Sequence, residues 1–362
     1  MASCLEKYKS LLSLDGVEQI LSLGEGNTPL VNCDRIGSRG NLFLKMEQLN
    51  PTGSFKDRFA AVETAVMKQA GINTFIATSS GNTGSALAAY SAKYQIRCLL
   101  FVNEITPDGK LEQMLAYGAE IFRVKDFGIT KDLSAPIFDR LQALAEQSGS
   151  RLVISAFRYS PQGMQGVKTI AYEILEQFEG VAPSQIFVPV GGGGLLSGIW
   201  QGFLDLKERK IIDRFPRINA VQPELNDTVV TALTENRQVA REVQTTTTIS
   251  GLAVQVDIDA TLALNAVRNS GGSGYLVTDD DIRNAKEKLG CCEGIYVEPA
   301  GAASVAGYLK AVSKGHIAEN ENVVCIATGH GLKDVGAGYS LFKNDIKDIS
   351  LGDLAPNLIQ PV

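Results

Sequence analysis

Residues 50–58 read N-P-T-G-S-F-K-D-R and place Lys56 directly after a Gly-Ser turn, at the start of a predicted helix. A lysine presented in this way can act as a nucleophile that forms a Schiff base. Most lysines at helix starts are solvated charges, so the stretch gains its meaning from the segments that accompany it.

Three further glycine-bearing segments each follow a short apolar run, the position at which α/β sheets build ligand sites. They are S-S-G-N-T-G at 79–84, G-G-G-G at 191–194 and T-G-H-G at 328–331. Together with Lys56 they supply an amine, a phosphate cradle, and partners for a ring oxygen and a ring nitrogen. This is the set that a pyridoxal phosphate pocket needs.

The phosphate cradle is predicted from four glycines between a strand pattern at 185–190 and a helix pattern at 195–206. These residues are Gly191, Gly192, Gly193 and Gly194. Their backbone N–H groups can converge on an anion at the helix N-terminus, and the missing Cβ atoms permit close approach. A tight turn is the structural alternative. A dinucleotide site is disfavoured, because the third glycine of its G-x-G-x-x-G frame would fall on Leu196 or Ser197.

The segment at 79–84 combines hydroxyls, an amide and free backbone donors in one turn. Ser79, Ser80 and Thr83 therefore suit a substrate carboxylate, although Asn82 or Thr83 could equally serve as a helix cap. In the segment at 328–331, the hydroxyl of Thr328 follows a strand pattern and could meet the edge of a planar ring.

Other charged residues near these segments have simpler readings. Glu298 in V-E-P-A begins a helical stretch and carries a capping signature, with Pro299 suited to the first turn. Spacing does not show whether its carboxylate also faces the pocket. Lys45 and Lys168 are interpreted as surface or ion-paired charges.

Composition bounds the class of protein. A length of 362 residues is sufficient for two domains and a large core. With 44% hydrophobic and 20% charged residues, the composition is that of an ordinary globular protein. A net charge of −6 without a basic block favours neither nucleic acid nor an anionic membrane as partner. The six cysteines lack paired spacing, so no metal site is expected. No apolar stretch reads as a signal or membrane segment, which predicts a cytoplasmic protein.

Short β-branched runs alternate with helical patterns along the chain. Strands are predicted at 41–47, 74–78, 97–102, 119–124, 152–155, 185–190, 217–222 and 322–327, and helices at 57–70, 83–94, 131–147, 167–178 and 195–206. The alternation predicts an α/β fold with two doubly wound parallel-sheet domains and the site in the cleft between them. The large domain is placed at 1–58 plus 156–362, and a smaller inserted domain at 59–155.

With these residues in place, the chain resembles the fold-type II pyridoxal phosphate enzymes, and most closely the threonine synthases. The resemblance rests on G-E-G-N-T-P-L at 24–30, L-N-P-T-G-S-F-K-D-R at 49–58, S-G-N-T-G at 80–84, V-E-P-A at 297–300 and T-G-H-G-L-K-D at 328–334. It implies that Lys56 forms the Schiff base with pyridoxal 5'-phosphate, Asn82 bonds the phenolic oxygen, Gly191 to Gly194 hold the phosphate, and Thr328 meets the pyridine nitrogen. It also implies a homodimer that acts on a small amino acid.

Departures from the pattern bear on the substrate. The glycine-only phosphate loop looks like that of threonine and serine dehydratases. Where threonine synthases place Asn-Ser and then Arg, this chain has Phe157-Arg158 and Gly163, so Arg158 is the candidate for binding the substrate's leaving group. Phe59 replaces the glycine that usually follows F-K-D-R. Phosphohomoserine is therefore expected to be a poor substrate.

Three reactions stay open from the sequence. The first is elimination or replacement at the β or γ carbon in the manner of threonine synthase. The second is deamination in the manner of threonine and serine dehydratases, and the third is β-replacement on O-phosphoserine or O-acetylserine. In each of them Lys56 would act as both tether and base.

Overall fold

The computed structural model describes residues 3–14, 16–37, 39–127, 131–224 and 226–334, with backbone only for 131–134. The predicted large domain extended to residue 362, and its part at 335–362 lies outside the described residues. The strands are β1 Leu30–Asn32, β2 Asn41–Lys45, β3 Thr74–Ala77, β4 Arg97–Asn103, β5 Glu120–Val124, β6 Arg151–Val153, β7 Gln185–Pro189, β8 Arg217–Pro223, β9 Gly274–Val277 and β10 Asn322–Ile326.

The helices alternate with these strands along most of the chain. They are α1 Cys4–Lys7, α2 Lys56–Gln69, α3 Asn82–Tyr94, α4 Asp108–Ala116, α5 Lys131–Gln147, α6 Gln165–Gln177, α7 Gly194–Glu208, α8 Val230–Thr234, α9 Ala260–Asn269, α10 Asp279–Glu293 and α11 Pro299–Ser313.

The larger sheet has the strand order β1-β2-β10-β7-β8-β9. Its strands run parallel except β1, which pairs antiparallel with β2 at one edge. All five residues of β7 are buried, as expected for a central strand covered by helices on both faces. The parallel order brings the carboxyl ends of β7 and β10 to the same edge of the sheet.

The smaller sheet has the order β5-β4-β3-β6 and is parallel throughout. The two sheets confirm the predicted fold class of two parallel α/β units. The boundaries at 58/59 and 155/156 stay predictions, because helix α2 packs against both α3 and α6 and so against both units.

Every strand and helix predicted from the sequence is present, within a few residues at each end. The sequence pattern did not predict β1 and β9, nor the helices α1, α4 and α8 to α10. Strand β1 is three residues long and mostly exposed, so it carries little of the apolar signal that marks a strand.

The start of helix α2 is held by a buried ionic network. Arg58 is fully buried and forms ion pairs at 2.7 Å with Glu47 and Glu173, and Glu173 also pairs with Lys45 at 2.6 Å. Removing one partner of such a network typically costs about 3–5 kcal/mol, because a buried charge is left uncompensated. The network fixes the first turn of α2, which begins at Lys56.

Candidate active site

A cavity of about 1310 Å³ lies where the carboxyl ends of the strands of both sheets meet. We call it the central cavity. Its walls include residues 48–53, 78–83, 105–107, 154–156, 191–195, 249–252, 298–300 and 328, with Lys56, Lys110, Lys333 and Asp334. The structure thus brings Lys56 and the three glycine-bearing segments, which are far apart in sequence, to one place.

Lys56 is the first residue of α2, and its amine faces the central cavity. The side-chain nitrogen lies 2.7 Å from the hydroxyl of Ser155 and 4.7 Å from the centre of the Phe55 ring. Burial lowers the pKa of Lys56 from 10.5 to about 8, although the nearby carboxylates of Asp259 and Glu298 act in the opposite direction. Near neutral pH, a much larger fraction of this amine is therefore neutral and nucleophilic than of an exposed lysine.

The four glycines connect β7 to α7 along the cavity wall. Gly193 has a φ of +97°, and a Cβ there would lie 2.5 Å from the carbonyl oxygen of Asp259. A Cβ on Gly191 would lie 2.9 Å from the carbonyl oxygen of Gly251. The loop therefore depends on glycine. The first N–H groups of α7 have no acceptor within the helix, so they are free to bind an anion.

Thr328 follows β10, the strand that pairs in parallel with β7, and it also lines the cavity. Its side chain is only 4% exposed, yet its hydroxyl has no hydrogen-bond partner among the described residues. Burying an unpaired hydroxyl costs free energy unless a ligand satisfies it. Thr328 is therefore suited to a ligand atom at the cavity floor.

Asn82 is the first residue of α3, and its side-chain amide donates to both carboxylate oxygens of Glu298. Glu298 precedes α11, but its side chain does not cap that helix. The sequence suggested a capping role and left open whether the carboxylate faces the pocket; it does. Burial raises the pKa of Glu298, while the hydrogen bond from Asn82 partly offsets this effect.

Ser79 and Ser80, in the turn that leads into α3, and Thr83, in its first turn, all line the cavity. The hydroxyl of Ser79 accepts a hydrogen bond from the backbone N–H of Gly81 at 3.3 Å. The hydroxyl of Thr83 lies 2.9 Å from that of Ser155. The turn presents hydroxyls and backbone donors beside Lys56, as a carboxylate site requires.

Arg158 is not part of the central cavity. Its side chain is exposed and lies over the ring of Tyr159, with 5.8 Å from the guanidinium carbon to the ring centre. Its backbone N–H donates to Asp259 at 3.2 Å, and its side chain does not line the cavity. The predicted role of Arg158 in substrate binding is not supported by this placement.

Four residues in or beside the cavity were not predicted from the sequence: Ser155, Asp259, Lys110 and Lys333. Ser155 lies just beyond the carboxyl end of β6, a position that could have marked it. Asp259 accepts hydrogen bonds from the N–H groups of Phe157 and Arg158, and its own N–H donates to the carbonyl of Gly192. It thereby ties the glycine loop to the turn that carries Ser155.

Lys110 and Lys333 bridge the two sides of the cavity mouth. The amine of Lys333 donates to the carbonyl of Thr52 at 2.9 Å and to Gln113 of α4 at 2.7 Å. Lys110, in the first turn of α4, lies 3.5 Å from Asp334. Both amines therefore have partners within the protein.

The donor set fits a flat ligand that carries a phosphate and a carbonyl group. The glycine loop offers an anion site that a Cβ would disturb, Thr328 offers an unpartnered buried hydroxyl, and Lys56 offers an amine with a lowered pKa. These three features surround one cavity.

Comparison with known proteins agrees with this geometry. Residues 21–329 match the family model described as "Pyridoxal-phosphate dependent enzyme". The chain is 34% identical to a threonine synthase of Methanocaldococcus jannaschii, over 94% of this chain and 83% of that protein. It is 37% identical to a threonine synthase of Methanosarcina acetivorans, over 91% and 80% respectively.

A solved structure gives a similar result. The crystal structure of a threonine deaminase from T.th. superposes with a TM-score of 0.69 at 26% identity, covering 84% of this chain and 92% of that one. Within the described residues, no helix is both long and apolar enough to cross a membrane.

Proposed function

Because the chain belongs to the family of pyridoxal-phosphate dependent enzymes, we propose that Lys56 is the residue that carries the cofactor and acts as the catalytic base. The protein is a pyridoxal phosphate-dependent lyase of the elimination and replacement type, similar to threonine synthase, and its substrate is a small amino acid.

One observation supports the role of Lys56 above all others. Its amine lies inside the central cavity with a pKa lowered to about 8, in the same cavity as the glycine loop and the unpartnered hydroxyl of Thr328. Lys45 and Lys168, the other lysines considered from the sequence, form ion pairs with Glu173 and Asp205 and do not line the cavity.

Each remaining residue has a distinct task. The N–H groups of the glycine loop would hold the cofactor phosphate, Thr328 would meet the ring nitrogen, and Asn82 would meet the ring oxygen. When bound, the cofactor supplies an electron sink for the charge that develops at the α carbon. A hydroxyl at the ring nitrogen does not enforce protonation as a carboxylate would, which favours elimination over transamination.

The substrate carboxylate would be bound at the start of α3. We propose that Ser79 and Ser80, through hydroxyl and backbone donors, and Thr83, through its backbone N–H, bind the substrate carboxylate. This would place the α carbon near Lys56, whose neutral amine can remove the α proton and hold it. Loss of a leaving group and addition of a nucleophile then complete a replacement reaction, in the manner of the threonine synthase relatives.

A deaminating lyase is the second candidate. The glycine loop has no side-chain donors that could bind a second phosphate, and Arg158 is exposed and does not line the cavity. The structural similarity to a threonine deaminase is consistent with this alternative. A β-replacement synthase that uses O-phosphoserine or O-acetylserine would share the same first steps.

A substrate panel tests these candidates directly. The loaded enzyme is incubated with serine, threonine, O-phosphoserine, O-acetylserine and phosphohomoserine, and products are identified by mass. A replacement enzyme retains the amino group in its product, whereas a deaminating lyase releases ammonia and a keto acid. The absence of turnover on all five, together with a cofactor attached elsewhere than Lys56, would refute the proposed function.

The homodimer and the cytoplasmic location predicted from the sequence are part of this proposal. Light scattering coupled to size-exclusion chromatography tests the dimer at micromolar concentration. Fractionation of cells that express the full chain tests the location.

A further inference from the structure

The hydroxyl of Ser155 makes a short contact with the amine of Lys56 and a second contact with another hydroxyl. The distance from Lys56 Nζ to Ser155 Oγ is 2.7 Å, and the distance from Ser155 Oγ to Thr83 Oγ1 is 2.9 Å. The three groups come from the start of α2, the turn after β6 and the first turn of α3. They form a continuous chain of hydrogen bonds along the cavity wall.

We propose that Ser155 is a positioning residue for Lys56, and that the hydroxyl pair Ser155 and Thr83 reverses its hydrogen bonds as Lys56 gains and loses a proton. The inference rests on the proposed function, in which Lys56 is the base. It adds a residue that none of the glycine-bearing motifs of the sequence contains.

The chemistry of the three groups permits this reversal. Neutral Lys56 has a lone pair that accepts a hydrogen bond from Ser155, and Thr83 then donates to Ser155. Protonated Lys56 donates to Ser155, which donates in turn to Thr83, because a hydroxyl can act in both roles. The reversal changes which group donates each hydrogen bond but transfers no proton away from Lys56. The proton taken from the substrate therefore stays on Lys56 until it is returned.

Ser155 is held firmly enough to set the direction of the amine. The turn that carries it is fixed by Asp259, whose carboxylate accepts from the N–H groups of Phe157 at 2.7 Å and of Arg158 at 3.2 Å. The N–H of Asp259 donates to the carbonyl of Gly192 at 2.9 Å, so the same residue fixes the glycine loop. The amine of Lys56 is thereby located relative to the phosphate cradle.

The groups that act on the charge of Lys56 are few. Burial disfavours the ammonium form, while the carboxylates of Asp259 and Glu298 favour it. The ring of Phe55 also faces the amine. A hydrogen bond is stronger when one partner is charged, so Ser155 stabilises the ammonium form more than the neutral amine. Removing the Ser155 hydroxyl should therefore lower the pKa of Lys56 further.

The test uses the full chain stripped of cofactor. Trace acetylation with acetic anhydride between about pH 6 and 10, followed by mass mapping of the peptide that contains Lys56, gives the midpoint at which this amine becomes neutral. In Ser155→Ala we expect the midpoint to fall by about one pH unit, which raises labelling at pH 7 about fivefold. Thr83→Val should shift it in the same direction by less, and Thr83→Ser should not shift it.

Two comparisons separate positioning from general disturbance. In the double variant Ser155→Ala with Thr83→Val, the shift should not exceed that of Ser155→Ala alone, because Thr83 acts through Ser155. Ser91→Ala is the matched control, since its buried hydroxyl donates to the carbonyl of Ala88 within the same helix as Thr83. Its midpoint should equal that of the unchanged protein.

An unchanged midpoint in folded Ser155→Ala, or additive shifts in the double variant, overturns the inference. If Ser155→Ala does not fold, Thr83→Val decides alone: a lowered midpoint supports the inference and an unchanged one overturns it.

In the loaded enzyme, Ser155→Ala should reduce kcat about tenfold or more with KM nearly unchanged, and an unaltered kcat counts against it. Mapping the cofactor to a different lysine would instead overturn the proposed function.

Discussion

The side-chain amide of Asn82 donates hydrogen bonds to both carboxylate oxygens of Glu298, at 2.8 and 3.0 Å. This contact joins the first residue of α3, beside the smaller sheet, to the residue that precedes α11, beside the larger sheet. A Cβ at Gly329 would clash with Glu298 Oε1, so the carboxylate has a closely fitted place. Glu298 therefore sets the orientation of the amide that we assign to the cofactor's ring oxygen.

We expect Glu298→Ala to weaken cofactor binding by about 10-fold or more. A hydrogen bond to a charged group is worth about 1.5–3 kcal/mol, and its loss lets the Asn82 amide rotate away from the ring. Absorbance titration of the stripped protein with pyridoxal phosphate measures the affinity. Glu287→Ala, at an exposed position of α10, is the control and should bind normally; equal affinity in both variants would contradict the assignment.

Lys56→Ala should have no turnover and should leave no adduct after borohydride reduction, because the tether and the base are lost together. Tryptic mapping of the reduced, unchanged protein should find the pyridoxyl group on Lys56. Lys68→Ala changes an exposed lysine near the end of the same helix and should retain activity. A pyridoxyl group on any other lysine would refute the assignment.

Gly192→Val should weaken cofactor binding much more than it weakens folding. A Cβ at Gly192 meets protein atoms only at 3.8 Å and beyond, so the protein itself accommodates it, while the added side chain enters the predicted anion site. Gly193→Ala should instead lower the thermal stability, since its φ of +97° and its contact with Asp259 exclude a Cβ. Calorimetry and cofactor titration measure both effects. Unchanged cofactor affinity in folded Gly192→Val would argue against the cradle.

Phosphohomoserine should be a poor substrate, with kcat/KM below about 10⁴ M⁻¹s⁻¹. A dianionic leaving group needs several charge-assisted donors, whereas Arg158 does not line the cavity and Gly163 has no side chain. A Cβ at Gly163 would lie 2.8 Å from the ring of Phe59 and 2.5 Å from Glu63 Oε2, so Gly163→Arg should not restore the activity.

Efficient formation of threonine from phosphohomoserine would show this substrate prediction to be wrong. Lys110→Gln would then reveal whether Lys110, which lines the cavity, replaces the missing arginine. The proposed reaction type would stand in either case, because it depends on Lys56 and not on the leaving group.

The reaction of the stripped protein with pyridoxal should speed up as the pH rises through about 8. Below this pKa Lys56 is mostly an ammonium ion without a lone pair, and above it the neutral amine can attack the aldehyde. Borohydride trapping at a series of pH values measures the rate. Nα-Acetyl-lysine, which keeps a free side-chain amine, is followed in parallel. Its reaction rate should reach half of the maximum at a pH of about 10.5. If Lys56 and the derivative share one profile, the cavity does not lower the pKa.

Much of the fold was readable from local pattern. Alternating apolar runs predicted the parallel strands and the main helices, because strand and helix periodicities depend on neighbouring residues. Strand β1 and helix α8 were missed because they are only three and five residues long and show little periodicity. Helices α9 and α10 were also missed, although α10 begins with a capping box of Thr278 and Asp281 that the sequence displays. Each glycine-bearing segment was also predicted to follow a strand, and each does, after β3, β7 and β10.

For the candidate site too, some features follow from the sequence and others only from the tertiary structure. The sequence by itself determined the presentation of Lys56 at a helix start and the glycine loop before α7, since both follow from local backbone geometry. Only the tertiary structure decided that Ser155, 99 residues away, meets the amine of Lys56, that Glu298 faces the cavity and that Arg158 does not. Those outcomes depend on which side chains packing brings together and removes from water, and no local pattern of residues encodes that.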